Sequence, residues 1–342
     1  MKAVVFVRDG EMQMANLPQP DARAGEVVIR VRGCGVCGTD VHIFHGDLKD
    51  GVVPPVVLGH EIVGEIIAVG QGVTQWNVGQ TVAVDPVVSC GRCEFCQMGR
   101  PNLCATSTVI GYSRHGGYAE YVAVPASHIV AISPKVGLKG GILVETLACV
   151  LNGYGRLGFE AGRTAMILGA GAVGLLWNQM LKNSPSAYLI QSEPVAYRRQ
   201  AAAALGADLV IDPSSENVAE RVRAILPEGV DFIVDASGNP QAVEEGIRLV
   251  RKGGTFMIFG VCPKESEIRV DPHEIYQREM RIIASKMPPR KLNQAARLLE
   301  SGKIDYERIV TTIRGLDAVV EAIHMFTEGR NRHVKIAIDP SL

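Results

Sequence analysis

The sequence has almost no net charge and no long apolar run. Its 35 lysines and arginines stand against 36 aspartates and glutamates, so no global field favours nucleic acid or an anionic membrane. No run of about eighteen apolar residues occurs, so no transmembrane helix is predicted. The first residues, MKAVVFVRDGEMQM, lack the apolar core of a secretory signal. We therefore expect a cytoplasmic protein with no nucleic-acid and no membrane partner.

Internal repeats and low-complexity tracts are also absent, which excludes repeat arrays and disordered chains. With 342 residues, 47% of them hydrophobic and 21% charged, the chain suits about two globular domains. In a reducing compartment, its eight cysteines are expected to be metal ligands or small buried residues and not disulfides.

Residues 1–150 are predicted to form a β-rich domain. Short apolar runs separated by glycine and proline are typical of a barrel-like arrangement of short strands. The runs are Lys2–Val7, Val27–Val31, Ile62–Val69, Thr81–Val84, Ala119–Val124 and Ile129–Ile132. No long helical period occurs before residue 140.

Four cysteines of this domain lie close together in sequence. They follow the pattern Cys90-x2-Cys93-x2-Cys96-x7-Cys104, in a lobe at about residues 88–106. Four thiolates form closed, structural zinc sites with no position for a substrate. The usual bacterial iron–sulfur spacing ends in Cys-x3-Cys-Pro, which differs from this one. We predict a structural zinc; the alternative is a lobe that binds no metal.

A second candidate metal site lies in the glycine-rich stretch Gly33–Glu61. Its side chains suited to ligation or proton transfer are Cys37, Thr39, Asp40, His42, His60 and Glu61. Zinc takes sulfur, nitrogen and oxygen ligands, and a catalytic zinc keeps one position open. The alternative is a connecting segment with an ordinary buried cysteine and histidine.

One further acid, Glu145, lies inside the predicted apolar helix 142–157. A carboxylate in such a setting is costly unless it is paired or bound to a metal. The alternative is a residue on the helix surface.

The segment after residue 160 carries a dinucleotide-binding pattern. The strand Thr164–Leu168 leads to Gly169-Ala170-Gly171-Ala172-Val173-Gly174, a helix to about Asn183, a strand Ala187–Gln191 and the acid Glu193. Such glycines allow the turn, the approach of a pyrophosphate and close helix–strand packing, while the acid binds the ribose. Because a carboxylate repels a 2′-phosphate, Glu193 favours NAD; Arg198 softens that discrimination and leaves NADP possible.

Alternating segments continue over residues 151–287 and predict a doubly wound parallel sheet, with a nucleotide-free α/β domain as the alternative. The helices are predicted at 195–205, 217–226 and 240–251, and the strands at 208–211, 230–235 and 254–260. Residues 288–342 are too short for a core of their own, so we expect them to return to the first domain. Their predicted elements are the helices Leu292–Ser301 and Leu316–Glu328 and the strand Arg332–Asp339.

Together these motifs resemble those of the zinc-containing medium-chain dehydrogenases, over essentially the whole chain. The matching segments are GxGVCGTDVH at 33–42, GHExxGEI at 59–66, the four-cysteine lobe at 90–104, GGYAEY at 116–121 and GAGAVG at 169–174. The resemblance implies an α/β protein with a GroES-like β-rich catalytic domain and a Rossmann domain. It also implies two Zn²⁺ per chain, NAD as cofactor and a homo-oligomer, either a tetramer or a dimer.

The resemblance assigns roles to the candidate residues. Cys37 and His60 match zinc ligands, and Glu61 matches an acid on or beside the metal. Asp40 matches the carboxylate that orients the zinc-bound histidine. Thr39 matches the hydroxyl of a proton relay, with His42 at its solvent end.

The branch within the family depends on Glu145. Alcohol dehydrogenases have a cysteine ligand at this position, whereas polyol (sorbitol-type) and threonine dehydrogenases have a glutamate that is usually followed by proline. Here Thr146 follows instead. The position keeps the acid, so the polyol branch is favoured.

The implied reaction is oxidation of a secondary hydroxyl to a ketone. Zinc lowers the pKa of the hydroxyl, its proton leaves through Thr39, the cofactor ribose and His42, and hydride passes to nicotinamide. A carboxylate-rich site suits a polyol, sugar alcohol or cyclic polyol. The alternative substrates are a sugar acid, a sugar phosphate or L-threonine. A zinc-free NADPH reductase would lack the cysteine lobe and the Cys37–His60 pair, and a non-enzymatic protein would tolerate loss of Cys37 or Thr39; all of these are present.

Overall fold

The computed structural model describes residues 1–328 and 333–342. The chain folds as two compact units. Unit 1 comprises Met1–Ala148 and Met287–Leu342, and unit 2 comprises Cys149–Lys286. The boundaries predicted from the sequence, after residues 150 and 287, lie within two residues of these divisions.

The first part of the chain is rich in short strands, as predicted, and the apolar runs all coincide with strands. Its elements are β1 (Lys2–Arg8), β2 (Glu11–Asn16), β3 (Glu26–Gly35), α1 (Gly38–His45), β4 (Val56–Val57), β5 (Glu61–Val69), β6 (Thr81–Val84), β7 (Val87–Val88), α2 (Glu94–Gln97), β8 (Thr108–Val109), β9 (Tyr121–Pro125), β10 (Ile129–Ala131), α3 (Gly137–Gly141) and α4 (Leu143–Leu157). The eight-residue helix α1 was not predicted.

Unit 2 alternates strands and helices. They are β11 (Thr164–Leu168), α5 (Ala172–Asn183), β12 (Tyr188–Ser192), α6 (Ala196–Ala204), β13 (Leu209–Ile211), α7 (Val218–Arg223), β14 (Val230–Asp235), α8 (Pro240–Leu249), β15 (Val250–Ile258), α9 (Pro272–Gln277) and β16 (Arg281–Ala284). The six strands are all parallel in the order β13-β12-β11-β14-β15-β16. This is the order of a doubly wound dinucleotide-binding sheet, so the predicted parallel sheet is confirmed. The last helix and strand, α9 and β16, were not predicted.

The end of the chain returns to unit 1. Its elements are α10 (Leu292–Glu300), β17 (Val310–Arg314), α11 (Val319–Glu328) and β18 (Lys335–Ile338). The sequence missed β17, and Arg332, the predicted start of the last strand, lies outside the described residues. Strands β17 and β18 join a seven-stranded sheet in the order β10-β6-β5-β3-β18-β17, with β9 also paired to β3.

The register of this sheet brings distant segments together beside β3. Gly35, the last residue of β3, lies opposite Glu61 of β5 on one side and opposite Ala337 of β18 on the other. The side chains of Ile29, Ile66 and other apolar residues of the sheet are fully buried. The buried sheet of unit 1 thus ends at the segment that carries the sequence-predicted metal ligands.

Helix α4 is a core helix, in which Leu143 and Leu147 are fully buried. In the described part of the chain, no single helix is long and apolar enough to cross a membrane. One pair, Pro134–Gly141 with Leu143–Leu157, passes that test together but is bent by 73°.

An ion-pair network ties together the first residues of β11 and β14. The Asp231 carboxylate accepts hydrogen bonds from Thr164 N at 2.9 Å, from Thr164 Oγ1 at 2.7 Å and from Arg251 at 3.1 Å. Burial alone would raise the pKa of Asp231, but these hydrogen bonds and the charges of Arg251 and Arg163 outweigh it and lower the pKa. The charged carboxylate therefore stabilises the folded state.

We predict that Asp231→Asn lowers the free energy of unfolding by about 1–3 kcal/mol at pH 7, the usual contribution of a hydrogen-bonded charge. Because the folded pKa is lowered, the contribution is present above the ordinary carboxyl pKa of about 4 and is lost as the pH falls through the folded value. Urea unfolding from pH 7 to below pH 4 measures this. Asp305→Asn, which breaks an exposed pair with Arg308, should cost less than about 1 kcal/mol. A loss for Asp231→Asn that does not depend on pH would contradict the assignment.

Candidate active site

Three sequence-predicted ligands come together in unit 1. The ligand atoms of Cys37, His60 and Glu61 all lie within 4.8 Å of one another. Cys37 precedes α1, and His60 and Glu61 lie at the start of β5. We call these residues the Cys37–His60–Glu61 cluster. A thiol, an imidazole and a carboxylate at this spacing are a donor set that zinc accepts.

Helix α1 positions the proton-transfer residues. Its first turn is fixed by Asp40, whose Oδ2 accepts hydrogen bonds from Cys37 N and from the Tyr118 hydroxyl, both at 2.9 Å. The helix ends at Gly46, which adopts the left-handed conformation with φ of +82°. The helix therefore fixes the position of Cys37 and carries Asp40 within its first turn.

Negatively charged side chains surround His60. His60 Nδ1 lies 3.6 Å from Asp40 Oδ1, and Asp40 is fully buried. Burial alone would lower the pKa of His60, but the charges of Asp40 and Cys37 raise it well above its usual range. Neither His60 Nδ1 nor Asp40 Oδ1 has a hydrogen-bond partner among the described residues. A buried site with such an excess of acidic groups fits a cation.

Glu61 is held by two residues that the sequence analysis did not identify. Its Oε1 accepts hydrogen bonds from the Lys335 ammonium at 2.5 Å and from Thr146 Oγ1 at 2.9 Å. Lys335 is buried; burial alone would lower its pKa, but the charge of Glu61 raises it. The available signal was a lysine within the apolar run that ends the chain. Its partner lies 274 residues away, which sequence spacing does not reveal.

The two predicted relay residues, Thr39 and His42, both lie on α1. Thr39 Oγ1 is 3.8 Å from Cys37 Sγ. The His42 ring is 40% exposed, and its Nδ1 lies 3.4 Å from Asp47. The helix thus carries one residue beside the metal ligands and one at the surface.

Glu145 is buried on α4 but is not part of the Cys37–His60–Glu61 cluster. Its charge acts on nearby groups. Burial raises the pKa of Asp85 to about 7, and the charge of Glu145 adds to that rise. Burial and the charges of Glu145 and Cys37 also raise the pKa of Tyr112. Because the charges of Glu145 and Cys37 both act on Tyr112, Glu145 lies near the Cys37–His60–Glu61 cluster. Its role as a zinc ligand stays a prediction.

The cysteine lobe has the geometry of a four-thiolate site. The sulfurs of Cys90, Cys93, Cys96 and Cys104 lie within 4.8 Å of one another. Cys90 Sγ is 4.0 Å and Cys93 Sγ 3.5 Å from Cys96 Sγ. Tetrahedral zinc with Zn–S bonds of about 2.3 Å requires sulfurs about 3.8 Å apart. The backbone N–H groups of Arg92 and Cys93 lower the pKa of Cys90 to about 6.

In unit 2, two glycines of the dinucleotide motif, Gly169 and Gly174, occupy positions with little tolerance for a side chain. Gly169 has a φ of +99°, and a Cβ at Gly174 would lie 2.2 Å from Gly169 O. A Cβ at Gly171, in contrast, would point into open space. Helix α5 begins at Ala172 and continues through Val173, so its free N–H groups face that space. A pyrophosphate fits such a helix N-terminus.

The acid at the end of β12 is joined to this loop. Glu193 Oε2 accepts a hydrogen bond from Ala170 N at 2.6 Å, and its Oε1 accepts one from Val195 N at 3.0 Å. Arg199 donates to the Glu193 carbonyl at 2.8 Å, and Arg198 is half-buried nearby. A carboxylate has further acceptor positions, so Glu193 remains able to bind ribose hydroxyls.

A buried amide pair, missed by the sequence analysis, supports the same loop. Gln191 Nε2 donates to Gly169 O at 2.9 Å, and Asn178 Nδ2 donates to Gln191 Oε1 at 2.7 Å. Both side chains are buried. Two amides at apolar positions of a helix and a strand were the signal that was available. Together they fix the carbonyl at the turn of the glycine motif.

Comparison with known families agrees with this arrangement. The family model described as "Alcohol dehydrogenase GroES-like domain" matches residues 23–134, and the one described as "Zinc-binding dehydrogenase" matches residues 172–301. The predicted GroES-like and Rossmann domains are thereby confirmed.

Curated relatives span almost the whole chain. D-altritol 5-dehydrogenase of Agrobacterium fabrum (strain C58) is 35% identical over 91% of each chain. Sorbitol dehydrogenase of Bacillus subtilis (strain 168) is 31% identical over 100% of this chain and 98% of its own. L-threonine 3-dehydrogenase of Pyrococcus horikoshii is 31% identical over 98% and 97%.

Solved structures are similar over the same length. A zinc-binding dehydrogenase from Sinorhizobium meliloti 1021 bound to NADP has a TM-score of 0.94 and 34% identity, with 99% of each chain covered. An alcohol dehydrogenase from Escherichia coli CFT073 complexed with NADH has a TM-score of 0.92 and 30% identity, again with 99% of each chain covered.

The chain combines two groups of metal ligands of the expected kind with a dinucleotide motif in its expected place, and its relatives share one family. The chain belongs to the zinc-binding medium-chain dehydrogenase family and is a zinc-dependent NAD(P) alcohol dehydrogenase that acts on CH–OH groups.

Proposed function

We propose that this enzyme oxidises a secondary hydroxyl of a polyol, sugar alcohol or cyclic polyol to a ketone, with NAD as the hydride acceptor. The observation that carries the proposal is the Cys37–His60–Glu61 cluster, with a second buried acid, Glu145, on α4. A metal site with two acids near it is polar and suits a substrate with several hydroxyls. The altritol and sorbitol dehydrogenases among the relatives support this substrate class.

In this proposal Cys37, His60, Glu61 and Glu145 supply the donors of the catalytic metal site. Zinc, when bound, supplies a Lewis acid that lowers the pKa of a substrate hydroxyl, and nicotinamide supplies the hydride acceptor. Asp40 lies behind His60, with Oδ1 3.6 Å from Nδ1, and its charge is placed to orient the ring for ligation.

Proton transfer follows α1. Thr39 lies beside Cys37 and accepts the proton of the substrate hydroxyl while it passes on its own. The ribose of a bound cofactor would link Thr39 to His42, which is 40% exposed and would release the proton to water. The path leads from a half-buried hydroxyl to an imidazole at the surface.

Cofactor binding is proposed to follow the glycine motif. Gly169, Gly171 and Gly174 shape the turn, the N–H groups of Ala172 and Val173 receive the pyrophosphate, and Glu193 binds the ribose. The negative charge of Glu193 favours NAD over NADP. Arg198 is proposed to contact the cofactor beside Glu193. The relatives include structures with NADP and with NADH.

L-threonine is the second candidate substrate, because an L-threonine 3-dehydrogenase is 31% identical over nearly the whole chain. Sugar acids and sugar phosphates stay further alternatives. The expected cytoplasmic location and the homo-oligomer also stay predictions.

A substrate screen tests the proposal. Sugar alcohols, cyclic polyols, sugar acids, sugar phosphates and L-threonine are compared at matched concentrations with NAD and with NADP. We expect the highest kcat/KM with a polyol and NAD. The highest kcat/KM with L-threonine or a phosphorylated sugar, or equal turnover with NADP, would replace the proposed substrate or cofactor.

Cys93→Ser is predicted to lose one zinc per chain, because a closed four-thiolate site needs all its ligands. Stability should fall more than the kcat of the molecules that stay folded. Elemental analysis of the purified protein measures the zinc content. Cys262→Ser, which changes a half-buried cysteine outside both metal centres, should keep two zinc ions. Full zinc content in Cys93→Ser would show that the lobe is not a four-thiolate site.

Gln191→Leu removes the donor to Gly169 O and is predicted to raise the Kd for NADH by about 3- to 10-fold. The hydrogen bond contributes about 1 kcal/mol, and 1.4 kcal/mol is a factor of ten in Kd. The kcat at saturating cofactor should change little, because the metal site is untouched. Thr255→Val is the control, since it deletes a buried hydroxyl of unit 2 that has no partner among the described residues. Equal Kd values for Gln191→Leu and the unmodified enzyme would disprove the role.

Glu145→Gln keeps the shape of the side chain but removes its charge. We expect zinc affinity at the catalytic site, or turnover, to fall about 10- to 100-fold, as for other changes near metal ligands. The structural zinc and NADH binding should be unaffected. Glu321→Gln, an exposed glutamate on α11, serves as the control. Unchanged zinc content together with unchanged polyol turnover would defeat the role of Glu145.

A further inference from the structure

The Glu61 carboxylate is almost fully buried, with 1% of its surface exposed. A buried carboxylate is costly unless every acceptor position is used or its charge is balanced. Glu61 Oε1 has two donors, the Thr146 hydroxyl and the Lys335 ammonium. The Lys335 ammonium also lies against Glu61 Oε2, so it pairs with both oxygens of the carboxylate. Lys335 thus balances the charge of the carboxylate, and the Thr146 hydroxyl adds a second, directional contact to one of its oxygens.

The sheet register explains how the anchoring residues reach Glu61. Strand β3 lies between β5, which begins with Glu61, and β18, which begins with Lys335. Gly35 is the residue of β3 between them. A Cβ at Gly35 would lie 1.9 Å from Glu61 Oε2 and 3.0 Å from Lys335 Cε. Only glycine therefore leaves room for the ion pair across the strand.

Thr146 is the departure of this chain from the pattern that it otherwise resembles. Polyol and threonine dehydrogenases usually have proline after the glutamate at this position, and proline offers no donor. Here Thr146, which is 5% exposed, donates its hydroxyl proton to Glu61 Oε1 at 2.9 Å. The substitution adds a hydrogen bond at a place where the usual residue cannot form one.

We propose that Thr146 is a positioning residue of the catalytic metal site. Its hydroxyl, with Lys335, fixes the orientation in which the Glu61 carboxylate faces the zinc bound by Cys37 and His60. The inference rests on the proposed catalytic zinc site and adds a residue outside its ligand set. Hydrogen-bonded partners of metal ligands commonly change metal affinity by about 10- to 100-fold.

The test compares Thr146→Val, Thr146→Ser and Thr146→Pro. Valine keeps the shape of threonine but removes the donor. Proline, the usual residue of the polyol branch, also removes the donor, whereas serine keeps it. We expect the two donor-free variants to lose catalytic zinc to the chelator dipicolinate about 10- to 100-fold faster. Thr146→Ser should stay within about threefold of the unmodified enzyme. The structural zinc should be retained in all three.

A second measurement does not depend on turnover. The catalytic site is emptied and refilled with Co²⁺, and the visible spectrum is recorded, because it reports the ligand geometry around the ion. Thr146→Val and Thr146→Pro should shift this spectrum, whereas Thr146→Ser should not. Thr312→Val is the matched control, because this buried threonine of unit 1 contacts His333 and not Glu61.

The outcomes separate this inference from the proposed function. Zinc release and Co²⁺ spectra that are the same in Thr146→Val, Thr146→Pro and the unmodified enzyme would overturn the inference alone. A change in Thr146→Pro that is absent in Thr146→Val would assign the effect to the backbone and also overturn it. An unmodified enzyme that holds only the structural zinc would overturn both this inference and the proposed site.

Discussion

The ion pair between Glu61 and Lys335 is the constraint on which the centre of unit 1 depends. Both side chains are buried, and an unpaired charge at either place would be several kcal/mol less stable. The pair needs three adjacent strands in one register, because β3 lies between the two partners. It also needs Gly35, since any side chain there would occupy the space of the carboxylate. The same register places Glu61 beside His60 and brings the Cys37–His60–Glu61 cluster together. The metal site and the sheet are therefore stabilised by the same contacts.

The two units position their sites by the same physical means. In unit 1, the buried Asp40 holds Cys37 N and lies behind His60. In unit 2, the buried amide of Gln191 holds Gly169 O, and a buried carboxylate accepts the next N–H of that loop. In each case a buried polar side chain fixes the backbone at the end of a strand. Such supports are costly to leave unpaired, so they restrict the loop to one conformation before any ligand binds.

Local patterns in the sequence predicted the elements that depend on local patterns. Strand β11 was predicted residue for residue, because a short apolar run before a glycine motif has few other interpretations. Helix α1 was missed since it is short and is preceded by Cys37 and not by a usual capping residue; Asp40, three positions on, caps it instead. Lys335 and Thr146 were not assigned to the site, because their contact with Glu61 depends on strand register and side-chain packing. Sequence spacing carries no information on either.

The spacing of the ligands has a consequence for the order in which the protein acquires its metals during folding. The four sulfurs of the cysteine lobe come from fifteen successive residues, Cys90 to Cys104, so only a short loop must close before zinc binds. Completion of the other centre requires Glu61 to meet Lys335, 274 residues along the chain, which happens only when the seven-stranded sheet is formed. During folding, the four-cysteine lobe is therefore able to bind zinc early, and the catalytic site is complete only late. The lobe therefore binds its zinc at a stage when the catalytic site has not formed and does not compete for the ion.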